Sequence, residues 1–219
     1  LFAEGLSVVL PFHNLADRAE ANLARLDALL RPHGFPYRII AVDDGSADGT
    51  AEALRRAAET HPAVLPVLLP ANAGKGAALL AGLERVSHPW VLLLDGDLDL
   101  DPAALPAFAD VARASGADLV LGDKRHPQSQ VRYPLRRRIA SALYAGLVRA
   151  LLRLPVSDTQ CGMKLVRAEV LRYAAPRLLV KRFAFDLEFL AVAHDGGFRH
   201  ANAPVRLDFQ HRWGCLTPA

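Results

Sequence analysis

Along the first 122 positions, short apolar runs alternate with stretches whose apolar residues recur at helical spacing. Residues 6–11 are a Val- and Leu-rich run that reads as a buried strand. Residues 17–30 carry apolar positions at the helical period and are closed by Arg31, Pro32 and Gly34. Residues 37–42 give a second strand, which ends in Asp43-Asp44-Gly45-Ser46. Asp48, Gly49 and Thr50 then open a helix to about Ala58, with Asp48 or Ser46 as its cap. Residues 64–69 are a third strand, and the loop Asn72-Ala73-Gly74-Lys75-Gly76 leads into a helix ending near Val86. A fourth strand at 90–94, a helix at 102–114 and a fifth strand at 117–121 complete this half. The rhythm predicts an α/β fold with a mostly parallel central sheet and helices on both faces.

The second half follows another pattern. Residues 123–138 are polar and basic, 139–154 predict an amphipathic helix, and 156–165 a compact loop or strand. Residues 183–193 read as helix and 198–207 as a last strand. The chain therefore reads as one domain over 1–219, whose first half, 1–122, looks like a nucleotide-binding half and whose second, 123–219, looks like an acceptor half.

Composition narrows the class. With 219 residues, 52% of them hydrophobic, the chain can bury a full core. A net charge of +3 gives no reason to expect nucleic acid as a partner. The charge is uneven, however: 95–101 is acidic, whereas Lys124, Arg125, Arg132, Arg136, Arg137 and Arg138 make the next region basic. Cys161 and Cys215 lack metal-ligand spacing, so a reducing, cytoplasmic setting is expected. No apolar run reaches the roughly 18 residues of a membrane span.

The chemistry concentrates at Asp95-Gly96-Asp97, directly after the apolar run 90–94. Two carboxylates at the end of a buried strand call for a counter-charge. A hard cation such as Mg²⁺ or Mn²⁺ supplies it and leaves coordination sites for phosphate. Asp101 before Pro102 reads instead as a helix cap. The pair Asp43-Asp44 is harder to explain by capping, and one of the two, with Asp44 favoured, is assigned to the donor nucleoside. Gly45 permits a sharp exit from the strand. Lys75 brings a cation into a small-residue loop, either facing the ligand or as a solvated helix start.

These motifs follow one another in a recognisable order: Leu6 to Asn14, then Val42 to Thr50, then Asn72 to Gly76, then Asp95-Gly96-Asp97. The chain resembles the family 2 glycosyltransferases of the GT-A fold. The resemblance implies that Pro11 and Asn14 lie in the donor pocket, Asp43 and Asp44 at the base, and Lys75 near the donor. It also implies that Asp95, Gly96 and Asp97 sit against the diphosphate and metal, with Asp99 as a further ligand. Residues 135–141 are similar to the basic segment of dolichyl-phosphate mannose synthases, which gives Arg137 and Ser141 to a phosphate and Lys124 or Arg125 to the second phosphate-binding role. Residues 158–164 and 183–188 look closer to dolichyl-phosphate glucosyltransferases. By that likeness Asp158 and Gln160 lie near the sugar or acceptor, with Asp186 and Glu188 as alternatives.

The implied reaction is an inverting transfer of a hexose, glucose from UDP-glucose, to a polyprenyl (dolichyl-type) phosphate with metal assistance. GDP-mannose is the alternative donor, and a hydroxyl of a cell-envelope glycan or small molecule the alternative acceptor, with Asp158 as its base. The arginines around 139–154 suit either peripheral contact with an anionic membrane, on its cytoplasmic face, or a packed helix with a charged outer side. A sugar-nucleotide nucleotidyltransferase would need a glycine-rich basic loop after the first strand, which residues 11–18 lack. The retained pair Asp95 and Asp97 argues against a non-catalytic nucleotide-sugar-binding module.

Overall fold

A computed structural model describes residues 1–131, 161–182 and 184–207. The expected helix at 139–154 lies outside them.

The apolar runs become strands: β1 (Leu6–Phe12), β2 (Tyr37–Asp43), β3 (Val64–Leu68), β4 (Trp90–Leu93) and β5 (Leu119–Asp123). Between them lie α1 (Ala19–Leu30), α2 (Thr50–Thr60), α3 (Lys75–Leu83) and α4 (Leu105–Ser115). Asp101 caps as expected: its carboxylate accepts from the Ala103 N–H at 3.1 Å. The element it opens, Pro102–Ala104, is a tight 3₁₀ turn ahead of α4.

Past β5 come β6 (Gln130–Val131), β7 (Lys164–Arg167), α5 (Ala168–Ala174), α6 (Phe185–Asp195), β8 (His200–Pro204) and β9 (Arg206–Leu207). The main sheet runs β3-β2-β1-β4-β7-β5-β8. Its pairings are parallel except at β7, which runs antiparallel to both neighbours, with Leu165 facing Leu92 and Val120. The pattern gave a loop or strand near 156–165 but not this central antiparallel strand. A four-residue segment starting with Lys164 has too few alternations to announce itself. The single strand expected at 198–207 divides in two, because β8 pairs with β5 while β9 pairs with β6 in a separate small sheet.

Strand side chains alternate between two cores, as a sheet covered on both faces requires. Val8, Leu10, Ile39, Ala41, Trp90 and Leu92 face α1, α2 and α4. Val9, Ile40, Val42, Val91 and Leu93 face α3, α5 and α6. At the amino-terminal end of β2, buried Asp27 of α1 accepts from Tyr37 Oη at 2.5 Å, lies 2.8 Å from His61 Nδ1 and pairs with Arg31. Burial pushes its carboxyl up, but those partners outweigh the effect and hold it below the ordinary range.

Candidate active site

Because β3, β2, β1 and β4 are parallel neighbours, their carboxyl ends open on one edge, where α/β sheets bind ligands. The loops after these strands are interlocked. Asn14, at φ 52°, donates its N–H to Ser46 Oγ at 2.9 Å and accepts from Ala47 N at 3.0 Å. Asp43, buried at the end of β2, accepts from the Ser46 N–H at 3.3 Å and from its hydroxyl. Asp44 accepts from Ala73 N at 2.8 Å and Gly74 N at 2.9 Å, so its buried carboxylate fastens the Lys75 loop to the β2 loop.

His13, to which the sequence assigned nothing, joins this weave. With its proton on Nδ1 it donates to the Asp44 carbonyl at 3.0 Å, and Nε2 accepts from Asn72 Nδ2 at 3.0 Å. Glycine is needed at Gly45, where φ is +60° and an added Cβ would fall 2.2 Å from the Ala71 carbonyl carbon. Pro11 lies at the same edge, and its carbonyl accepts from Gly96 N at 3.2 Å. The Gly96 carbonyl in turn accepts from Asn22 Nδ2 at 2.9 Å.

This contact carries the chain into the acidic turn. Asp97 Oδ1 accepts from the Asp99 N–H at 3.1 Å, and Leu98 takes φ 53°. Burial, then the neighbouring Asp95 charge, push the Asp97 carboxyl up to about 6. Among the described residues no three acidic, histidine or cysteine side chains gather to hold an ion. The acidic turn holds the expected donors Asp95 and Asp97, with Asp99 two positions on. Hard oxygens crowded with negative charge suit Mg²⁺ or Mn²⁺, whose other positions would go to diphosphate and water.

Lys75 is no solvated helix start. Its Nζ lies 2.6 Å from Asp95 Oδ1 and 3.6 Å from Asp186 Oδ2. Burial pushes the ammonium pKa down, but Asp95 and Asp186 outweigh this and hold it above its ordinary value. Behind it, Lys164, fully buried in β7, donates to Asp186 Oδ1 at 2.7 Å and to the Cys161 carbonyl at 2.6 Å. Asp186 is thus flanked by two lysines, which overcome its burial and keep its carboxyl below the ordinary range. The result is a charge chain, Asp95–Lys75–Asp186–Lys164, running from the strand edge into the core. The likeness of residues 158–164 drew notice to that segment, but nothing local gave Lys164 a role. A lysine inside an apolar strand was the available signal.

Lys124 and Arg125 follow β5, whose end carries Asp123; Asp123 Oδ1 accepts from Arg125 N at 2.8 Å. That end adjoins the acidic turn through the chain after 160. A Cβ on Gly122 would fall 2.6 Å from Cys161 Sγ, and one on Gly162 would fall 1.9 Å from Asp95 Oδ2. Glu188 stands apart from Asp186 and binds the backbone of Leu179 and Val180. Arg137, Ser141, Asp158 and Gln160 lie outside the described residues.

The chain is similar to known proteins. An undecaprenyl-phosphate 4-deoxy-4-formamido-L-arabinose transferase of Edwardsiella ictaluri is 34% identical over 168 residues, 76% of this chain and 50% of that protein. A dolichyl-phosphate beta-glucosyltransferase of Trichomonas vaginalis is 30% identical over 209 residues, 90% of this chain and 62% of that protein. The chain thus spans about half to two-thirds of the length of these relatives. Among solved structures, glucosyl-3-phosphoglycerate synthase from Mycobacterium tuberculosis, in complex with Mn²⁺, UDP and phosphoglyceric acid, superposes with a TM-score of 0.69. It is 22% identical, and the match covers 95% of this chain and 72% of that one. That likeness establishes the GT-A fold. The family model for glycosyl transferase family 2 matches residues 7–174, most of the chain, and the chain belongs to that family.

Proposed function

We propose that this chain is an inverting glycosyltransferase that moves a hexose, glucose from UDP-glucose, to a polyprenyl phosphate of the dolichyl type. The carrying observation is what two relatives have in common. One is named for an arabinose derivative and the other for glucose, yet both are named for a polyprenyl phosphate. The acceptor class is the shared element and the sugar the variable one.

The site chemistry supports the reading. Diphosphate leaves with negative charge developing at the strand edge, where Asp95 and Asp97 would hold Mg²⁺ or Mn²⁺. The cation would supply charge neutralisation for that leaving group. Lys75 adds a fixed cation beside Asp95. The loops of Pro11, Asn14, Asp43 and Asp44 form the floor on which the nucleoside would lie. The acceptor is already an anion at neutral pH, so transfer needs orientation more than a base. Lys124 or Arg125, with Arg137 and Ser141, would hold its phosphate. We read residues 1–219 as one catalytic domain working peripherally on the cytoplasmic face of a membrane. No helix among the described residues is long and apolar enough to cross one.

The test is release of UDP from UDP-glucose, and of GDP from GDP-mannose, with Mn²⁺, with and without a short polyprenyl phosphate. Lipid- and metal-dependent UDP release is the expected result. Release from GDP-mannose alone would reverse the sugar assignment. No lipid-dependent release from either donor would sink the lipid acceptor and bring a hydroxyl acceptor forward.

A further inference from the structure

Among the described residues, Leu179 is the large apolar side chain left exposed, at 82%. It sits in the segment joining α5 to α6, between buried Leu178 and half-buried Val180. Arg177, Lys181 and Arg182 around it are all exposed. The segment is held in place. Glu188, in the first turn of α6, accepts from Leu179 N at 3.0 Å and Val180 N at 2.8 Å. Arg177 is fixed too, donating to the Tyr173 carbonyl at 2.6 Å, with its guanidinium 3.9 Å above the Tyr173 ring. An ordered backbone therefore presents one leucine outward, with three exposed cations within three positions of it in the chain.

The position matters as much as the composition. The Lys181 carbonyl accepts from Ala77 N at 3.1 Å, and an added Cβ on Gly74 or Gly76 would lie 2.7 or 2.9 Å from it. The tip is thus built onto the loop that carries Lys75, at the rim of the candidate active site. An apolar point flanked by cations matches an anionic bilayer: the leucine enters the acyl boundary while the cations meet lipid phosphates.

We propose that residues 177–182 form a membrane-docking tip, with Leu179 inserted and Arg177, Lys181 and Arg182 on anionic headgroups. For its purpose the tip rests on the lipid-acceptor reading, because it sets the site's rim where a lipid-borne phosphate lies. The membrane contact itself is measurable without any acceptor.

The experiment is co-sedimentation of the full chain with phosphatidylcholine vesicles, with and without phosphatidylglycerol and free of polyprenyl phosphate. Wild type is expected to bind only with phosphatidylglycerol and to dissociate as salt rises. Leu179→Asp should weaken partitioning about tenfold, and Lys181→Glu with Arg182→Glu about tenfold or more, with unchanged melting temperatures. In vesicle-free solution, Leu179→Asp should turn over a short, soluble polyprenyl phosphate as wild type does. Variants that bind vesicles like wild type, or a wild type that does not bind them, would overturn the proposal. A loss of vesicle-free turnover in Leu179→Asp would overturn it too. Failure of wild type on the soluble acceptor would instead strike the acceptor reading and leave the vesicle result standing.

Discussion

Lys75 Nζ lies 2.6 Å from Asp95 Oδ1, so the first carboxylate of the acidic pair already has a cation of the protein's own beside it. On the proposed reaction, Lys75 would share in the neutralisation of the leaving diphosphate. Replacing it with Met should lower UDP release about 10²- to 10³-fold at saturating Mn²⁺. Arg should rescue poorly, since a planar fork does not fit the gap between Asp95 and Asp186 that a point charge fills. Steady-state kinetics of both variants decide this, and near-normal turnover in the Met variant would leave Lys75 a structural counter-ion.

Asp186 and Lys164 are coupled by burial. Asp186→Asn should leave the fully buried Lys164 ammonium without its carboxylate and cost about 3–5 kcal/mol. Adding Lys164→Met should recover much of that loss, because the stranded charge is then gone. Urea unfolding of the two single variants and the double variant closes the cycle; additive losses would refute the coupling.

Asp97 carries the opposite kind of strain. Its carboxyl is pushed up to about 6 by burial and by Asp95, so its charge opposes folding at neutral pH in metal-free protein. Asp97→Asn should therefore stabilise the metal-free protein by about 1–3 kcal/mol. The same change should abolish the rise in melting temperature on adding Mn²⁺, and EDTA should erase that rise in wild type. A metal-free variant less stable than wild type would contradict the account.

Two glycines separate backbone strain from crowding. Gly34 and Gly45 have φ of +69° and +60°, but an added Cβ meets nothing within 4 Å at Gly34 and the Ala71 backbone at Gly45. Gly34→Ala should cost about 1 kcal/mol from the left-handed backbone alone. Gly45→Ala should cost clearly more and weaken UDP binding, because the Lys75 loop must shift. Thermal unfolding and UDP titration report the two effects.

At the far end of the sheet, Asp27 gives a pH signature. Its carboxyl is depressed in the folded state, so its stabilisation is complete above its unfolded value near 3.8 and is lost as pH falls through the lower folded value. Wild type should lose stability steeply below about pH 4. Asp27→Asn should be less stable at neutral pH by about 1–3 kcal/mol and show a shallower acid limb. Parallel acid limbs would rule the group out.

How far the sequence reached depended on the range of each signal. The strands β1 to β5 and the cap at Asp101 were legible because apolar runs, helical spacing and Asp-Pro are local patterns. The order of strand-end motifs was legible for the same reason. The roles of His13 and Lys164 were not, because each acquires its partner from a distant stretch of chain. Lys164 meets Asp186 across 22 positions and His13 meets Asn72 across 59. Asp44 was expected to face the nucleoside, and its bonds to Ala73 and Gly74 had no local trace. Glu188 was an alternative for the sugar or acceptor, and its bonds to Leu179 and Val180 had no local trace either.

The reversed strand β7 also bears on how the polypeptide is assembled as it leaves the ribosome. β4 and β5 do not pair with each other; both wait for residues 164–167. A nascent chain ending near residue 123 would leave β4 with an open edge and β5 without either of its partners, a state that invites pairing with other chains. The sheet itself closes only once residues 164–167 have been threaded back between strands made long before.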